Sequence, residues 1–142
     1  MAKFVGKNLR VKVGGTELTT QIASVEVTET VDEIETTSFG QNSRSRVAGL
    51  KDASVTLSFH ADYDASGVNT VLNTVFGGTT SVVILAGTST SGSVAAAAAP
   101  LFTIPVLCSQ QTPVNGQVGD LTTFDVTWPA VGDISRATTG TF

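Results

Sequence analysis

A chain of 142 residues is long enough for one domain with its own hydrophobic core. Its formal net charge of −4 argues against nucleic-acid binding by bulk attraction, because that attraction depends on clustered lysine and arginine. One cysteine, Cys108, excludes an internal disulfide, and no apolar run approaches the length of a membrane span.

The first part of the chain predicts an arm followed by strands. Residues 1–8 are small and basic without periodicity, and they lack the apolar segment of a signal peptide, so we expect none. Alternation of apolar and basic residues predicts a strand over Leu9–Val13, and Gly14-Gly15 predicts a turn. A second strand region is predicted over residues 16–31, with Glu26 on its polar side.

The segment Val31–Lys51 breaks the alternation. It is acidic at its start and basic at its end, with Phe39 between the two charged parts. A connection of about 20 residues is long for a compact domain, so we expect a loop that is functional or mobile. A solvated loop and a segment that orders on a partner are both open interpretations.

A strand–helix–strand unit follows, and the rest of the chain is organised around it. Residues 54–60 alternate, which predicts a strand with one buried face. A helix is predicted over Ser66–Phe76, with Asp64 or Ser66 as N-cap and Gly77 ending it. The run Ser81–Leu85 predicts a strand buried on both faces. The helix is predicted from apolar residues at i, i+3, i+4, i+7 and i+8: Val68, Val71, Leu72, Val75 and Phe76.

The last third of the chain predicts two further strands between irregular segments. Gly87–Pro100 is of low complexity and predicts a second long loop. Strands are predicted over Leu101–Gln111, with Pro105 marking an edge or bulge, and over Leu121–Trp128. Residues 132–142 predict a polar C-terminal arm. In the predicted strand Leu121–Trp128, the side chains of Phe124, Val126 and Trp128 should point inward and that of Asp125 outward.

The candidate chemical motifs favour a structural protein over an enzyme. Asp62–Gly67 resembles the first half of a calcium-binding EF-hand loop, but Asn73 stands where the bidentate glutamate belongs, so we expect a turn. His60, the one histidine, lies on the polar side of a strand, and Cys108 is interpreted as a small core residue. We expect no catalytic, metal or cofactor site, since no nucleophile elbow or phosphate loop is present.

The order of elements resembles the major tail tube proteins of long-tailed bacteriophages. The resemblance spans roughly residues 9–135 as an order of elements. It is strongest in the segment Arg46–Phe59 (RVAGLKDASVTLSF) and in the ending Phe124–Pro129 (FDVTWP). It implies a mainly β protein, a two-sheet β-sandwich or partial barrel flanked by one helix, without enzymatic activity or cofactor.

The resemblance also implies an assembly, a location and partners. Subunits close hexameric rings that stack into the tube of a virion tail, and they are made in the host cytoplasm. The tape-measure protein fills the tube, terminator and tip proteins close its ends, and viral DNA passes through without specific binding. Low charge, 14% of residues, suits a surface covered by neighbours, although a neutral threonine-rich surface is the alternative.

The resemblance maps the contact between rings onto residues 1–8, Val31–Lys51 and Gly132–Phe142. Glu26 and Asp125 are candidates for the channel wall, because each lies on the polar face of a well-alternating strand. Solvent exposure outside the tube, or pairing with a basic residue of the first strand, is the alternative for both. Two other functions stay open: a monomeric or trimeric binding or capsid-decoration module, and the tube of a contractile injection machine. The candidate contact residues within the segment are Glu35, Phe39, Arg44 and Arg46.

Overall fold

The computed structural model of the chain describes residues 9–86 and 99–142, which form two antiparallel sheets and a helix. One sheet has five strands in the order β2-β1-β5-β6-β9, and the other has four in the order β3-β4-β8-β7. The elements are β1 (Arg10–Val13), β2 (Thr16–Glu17), β3 (Ile22–Glu35), β4 (Arg46–His60), α1 (Val68–Val75), β5 (Thr79–Leu85), β6 (Leu101–Leu107), β7 (Thr112–Asn115), β8 (Thr123–Pro129) and β9 (Ser135–Ala137).

The two sheets pack face to face over a single main core, which confirms the predicted β-sandwich. Alternate residues of each central strand are buried, as the period of two in the sequence predicts. Trp128 is the largest fully buried side chain, and its indole N–H donates to the Gln110 carbonyl at 3.0 Å. The rings of Phe59 and Phe124 meet edge to face at 6.5 Å on neighbouring strands.

The helix docks its apolar stripe on the core, as predicted. Val68 and Leu72 are fully buried, while Val71 and Val75 are half-buried against the same cluster. Phe76 is an exception, because it lies beyond the last helical residue and is about half exposed. In the part of the chain that the structure describes, no helix is long and apolar enough to cross a membrane.

The predicted helix N-cap is wrong, and the predicted C-terminus is right. The N-cap is Gly67, where a Cβ would lie 2.5 Å from the Asp62 carbonyl oxygen, so only glycine fits this close approach. The first free N–H, that of Val68, donates instead to the side chain of Gln21, 47 residues earlier in the chain. Gly77 ends the helix with φ of +86°, the left-handed conformation that glycine favours.

The predicted loop Val31–Lys51 is mostly β-structure, which corrects the sequence interpretation. β3 extends to Glu35, β4 begins at Arg46, and the two strands pair along their whole length around a tip at residues 36–45. We name residues 31–51 the distal hairpin. Its alternation is hidden because neither of its faces packs on the core, so no period of apolar residues marks it.

Two further expectations need correction in the second half of the chain. β5 is not buried on both faces, since Val83 on its outer side is half-buried. The predicted strand Leu101–Gln111 is too long, since β6 ends at Leu107 and β7 begins only at Thr112. Pro105 lies beyond the residues of β6 that pair with β9. Residues 1–8 and most of the predicted loop Gly87–Pro100 lie outside the described residues.

The predicted C-terminal arm is folded back onto the five-stranded sheet. Residues 135–137 form β9 and pair with β6. Phe142 then packs, as does Leu101, against the buried cluster of Leu85 and Ala99. Its ring lies 4.6 Å from the guanidinium carbon of Arg10 and 4.9 Å from Lys12 Nζ. The sequence hides this contact because β9 is three residues long and lies at the sheet edge.

Candidate assembly surfaces

The four-stranded sheet ends in two edge strands, β3 and β7. β3 is 14 residues long, contains no proline, and within the described residues pairs along one side only. A long unprotected edge exposes a row of backbone N–H and C=O groups that another chain can pair with. A monomer would be expected to shield such an edge, so β3 is a candidate for contact between subunits.

The outer face of the same sheet is polar and brings the two predicted channel-wall residues together. Glu26 on β3 pairs with Thr56 on β4, which pairs with Thr127 on β8. Asp125 lies one row away, opposite Ser58. Glu26 and Asp125 therefore share one face, although whether this face looks into a channel stays a prediction. The residues that line the face by register are Ser24, Glu26, Thr28, Ser54, Thr56, Ser58, Asp125 and Thr127.

The charge of this face is negative. Ser58 Oγ donates to Asp125 Oδ1 at 2.6 Å, and the Asn115 amide nitrogen lies 3.5 Å from Asp125 Oδ2, so the carboxylate is held in place. Residues 13–43 and 52–135 contain neither lysine nor arginine. The basic residues of β1 lie on the other sheet, where Arg10 forms a bidentate pair with Glu17 at 2.9 Å and lowers the pKa of that carboxyl group. Glu26 and Asp125 lie on the four-stranded sheet instead.

Three of the four predicted contact residues form ion pairs on the distal hairpin. Arg44 lies 3.9 Å from Glu35 at the tip, and Arg46 lies 3.7 Å from Glu33 across the two strands. These side chains are half to three-quarters exposed, so each pair contributes at most about 1 kcal/mol to stability. The Thr36 N–H donates to the Ser45 carbonyl at 2.8 Å and closes the tip.

The distal hairpin also exposes apolar side chains. Phe39 at the tip is fully exposed, and Leu50 is 80% exposed. Ile34 and Val47 face each other across the strands and are each about half exposed. Apolar side chains concentrated on a projecting element that makes no core contact are typical of a protein–protein contact.

A second exposed apolar group lies at the opposite end of the four-stranded sheet, and the sequence did not identify it. Val118 is fully exposed, while Val114, Leu121 and Tyr63 are exposed by 73%, 66% and 53%. They lie in β7, in the turn between β7 and β8, and in the loop after β4. Isolated apolar residues in turns have no periodicity, so no sequence signal sets them apart from core residues.

The remaining candidates do not form a chemical site. Asp62 accepts the Asp64 N–H at 3.0 Å, as expected of a turn. Among the described residues no three His, Cys, Asp or Glu side chains are placed to hold a metal ion. Cys108 is buried, and burial raises the pKa of its thiol. A groove of about 420 Å³ beside Glu29, Lys51 and Asp133 is open and polar, without a nucleophile.

No protein-family model and no curated protein matches the chain, but solved structures match it along nearly its whole length. The SPP1 tail tube superposes with a TM-score of 0.74 at 8% identity, covering 99% of this chain and 81% of that one. The tail of an empty gene transfer agent particle, refined with helical and C6 symmetry, gives 0.72 at 13% identity and covers 95% and 99%.

A third structure comes from a contractile machine. The sheath/tube terminator of an extracellular contractile injection system gives a TM-score of 0.74 at 14% identity, covering 96% of this chain and 98% of that one. The chain has the tail-tube fold. Identities this low establish the fold alone, and the tail-tube fold is shared by the SPP1 tail tube and by a component of a contractile injection system.

Proposed function

We propose that the chain is a major tail tube subunit, which forms stacked hexameric rings and so makes the hollow conduit for viral DNA. The observation that carries this proposal is the likeness to tube subunits over 95–99% of the chain. It is supported by an exposed edge strand, a projecting hairpin and a polar acidic face, each of which has a use in a tube and little use in a monomer.

Ring closure uses the edges of the four-stranded sheet. β3 of one subunit lies beside β7 of the next, so that neighbouring sheets join into a continuous inner barrel. A closed barrel removes the exposed edges that a monomer would leave open to unspecific pairing. The C6 symmetry of the gene transfer agent tail supports a ring of six.

Stacking uses the distal hairpin, which makes no core contact within the subunit. In the tube it contacts the next ring through Phe39, Glu35, Arg44 and Arg46. Because every ring presents the same hairpin in the same direction, one head-to-tail contact repeats without closing and gives a filament. The terminal segments, residues 1–8 and Gly132–Phe142, add to this contact once the tube forms.

The tube has no enzymatic activity of its own and holds no cofactor. Its lumen first contains a tape-measure protein and later DNA, terminator and tip proteins bind its ends, and the subunits are synthesised in the host cytoplasm before they enter the virion tail. The acidic sheet face supports this use, because a wall without lysine or arginine does not retain phosphate groups.

The inner tube of a contractile injection machine is the second candidate function. The likeness to the sheath/tube terminator of such a system favours it as much as the SPP1 match favours the first. The two differ in whether a sheath surrounds the tube. Binding of a sheath protein to assembled tubes would decide for the contractile machine.

Negative-stain microscopy of the concentrated protein tests the proposal directly. We expect rings and tubes from the wild-type chain, whereas uniform small particles at all concentrations would favour a monomeric binding or decoration module. A shortened variant, with residues 37–44 replaced by Asn-Gly, joins Thr36 to Ser45, which already share a hydrogen bond. It should fold normally but yield rings without tubes, while Asn73→Asp on the exposed helix face should leave the tubes intact.

A further inference from the structure

We infer that the end of the subunit opposite the distal hairpin is the surface that receives the hairpin of a second copy in the next ring. We name it the turn-end surface. The inference rests on the proposed function and assigns the partner surface of the contact between rings. The turn-end surface consists of Tyr63, Asp64, Val114, Val118, Asp120 and Leu121.

The two surfaces lie at opposite ends of one continuous strand. β4 begins at Arg46 in the distal hairpin and ends at His60 beside the turn-end surface. A strand of this length spans roughly 45 Å at about 3.3 Å per residue. Translation of a second copy along the direction of β4 therefore brings its hairpin toward the turn-end surface of the first.

The turn-end surface is held together before any partner binds. The Tyr63 hydroxyl donates to the Pro113 carbonyl at 2.8 Å, which joins the loop after β4 to β7. The Ala61 N–H donates to the Thr122 carbonyl at 2.9 Å, and the Asp120 N–H donates to the Gln117 carbonyl at 3.1 Å. A surface fixed by such bonds loses little conformational entropy on binding.

Apolar exposure is matched at the two ends. The hairpin presents Phe39 and Leu50, and the turn-end surface presents Val118, Val114 and Leu121, all more than 60% exposed. When the distal hairpin of one copy meets the turn-end surface of the next, these apolar side chains lose contact with water, which favours the contact.

Charge is complementary as well. Between residues 52 and 135 the chain has no lysine or arginine, so Asp64 and Asp120 of the turn-end surface have no basic residue near them in the sequence. The hairpin carries Arg44 and Arg46, whose side chains are 70% and 50% exposed and only loosely paired at 3.9 and 3.7 Å. An acidic receiving surface gives these arginines a second partner and disfavours contact between two turn-end surfaces.

Substitutions on the turn-end surface test the inference. Val118→Asp and Leu121→Asp should each raise the critical concentration for tube formation by at least about tenfold. Because both side chains are exposed, the thermal melt of the free subunit should stay within a few degrees of the wild type. Asn73→Asp, at an exposed site on the helix, should form tubes as the wild type does.

Mixing two defective chains tests the direction of the contact. The variant with residues 37–44 replaced by Asn-Gly keeps an intact turn-end surface, and Val118→Asp keeps an intact hairpin. At a concentration above the critical concentration of the wild type but below that of Val118→Asp, neither should form tubes alone. When rings of the two variants are mixed, the intact hairpin of a Val118→Asp ring should bind the intact turn-end surface of a shortened-hairpin ring. The free end of each ring is then defective, so we expect pairs of rings that do not extend.

The outcomes separate the inference from the proposed function. Absence of rings and tubes from the wild-type chain would overturn the proposed function. Wild-type tubes together with normal tubes from Val118→Asp and Leu121→Asp would overturn the inference and leave the proposed function standing. Mixed chains that extend into full tubes, or that give no ring pairs, would also overturn it.

Discussion

The Ser58 hydroxyl donates a 2.6 Å hydrogen bond to the Asp125 carboxylate across the β4–β8 pair. The two residues are 67 positions apart in the sequence, yet they lie directly opposite each other on the polar face of the sheet. The bond fixes a negative charge on that face. It joins the predicted channel wall to the strand pairing that builds the sandwich.

The first prediction concerns the stability that this bond contributes. Ser58→Ala and Asp125→Ala should show a coupling free energy of about 1–2 kcal/mol in a double-mutant cycle of urea unfolding, because the acceptor is charged and both groups are half-buried. A cycle of Thr56→Ala with Asp125→Ala is the control, since Thr56 pairs one row away. Equal coupling in both cycles would contradict the assignment.

The second prediction concerns the helix face. Leu72→Asp should unfold the subunit, because a buried unpaired carboxylate costs several kcal/mol out of a total stability of about 5–15 kcal/mol. Asn73→Asp is the matched control, since Asn73 is the next residue of the same helix and is exposed. Thermal melts followed by circular dichroism compare the two variants. Equal melting temperatures would place Leu72 on the wrong face.

The third prediction is a pH dependence from Cys108. Burial raises the pKa of the Cys108 thiol, so the folded protein keeps a proton that the unfolded chain releases above about pH 8.5. The stabilising contribution is therefore complete below that pH. As the pH rises toward the folded-state pKa, stability falls by up to about 1.4 kcal/mol per pH unit.

Cys108→Ala supplies the control for this prediction, because it removes the titrating group from an otherwise unchanged chain. Urea unfolding between pH 7 and 10 should show a shallower decline of stability for the variant than for the wild type. Parallel declines would assign the pH dependence to other groups.

The fourth prediction concerns the distal hairpin. Its backbone bonds have no core beneath them, so amide hydrogen exchange within residues 31–51 should be fast in the free subunit compared with residues 54–60 of the same strand. In assembled tubes the hairpin amides should become protected, because a neighbouring ring then covers them. Equal protection in both states would remove the hairpin from the contact between rings.

How much could be predicted from the sequence follows from how each element is buried. Strands with one buried face, such as residues 54–60 and the segment around Trp128, display the period of two, and the helix displays its stripe through Leu72. The same alternation placed Glu26 and Asp125 on the polar side of their strands. Where a strand or helix buries one face, the sequence alone is sufficient to predict the element and its buried side.

The elements that the sequence hid lack a buried face or depend on distant residues. The distal hairpin has no core contact, and β9 is too short to display a period. The helix N-terminus is satisfied by Gln21, and the position of Phe142 depends on Arg10 and Lys12. The turn-end surface was not predicted, because in the sequence exposed apolar residues in turns cannot be distinguished from core residues. Only the fold shows which of them are exposed to solvent.

The last prediction concerns the charge of the channel wall. Glu26 is exposed on the polar face, and Asp125 is held on the same face by Ser58. If that face lines the channel, each carboxylate repeats around every ring and repels phosphate, so DNA does not bind the wall during ejection.

Adding positive charge to this face should slow ejection without preventing assembly. Glu26→Lys and Thr56→Lys each place a lysine on exposed positions of the face, and Asn73→Lys places one on the helix as a matched control for Thr56→Lys. In particles with intact tubes, DNA should leave more slowly from the two sheet variants, with the delay shrinking as salt rises, because bound phosphate is released by counterions. Wild-type ejection rates from both sheet variants at low salt would place the face outside the channel. A delay in Asn73→Lys alone would place the helix inside it.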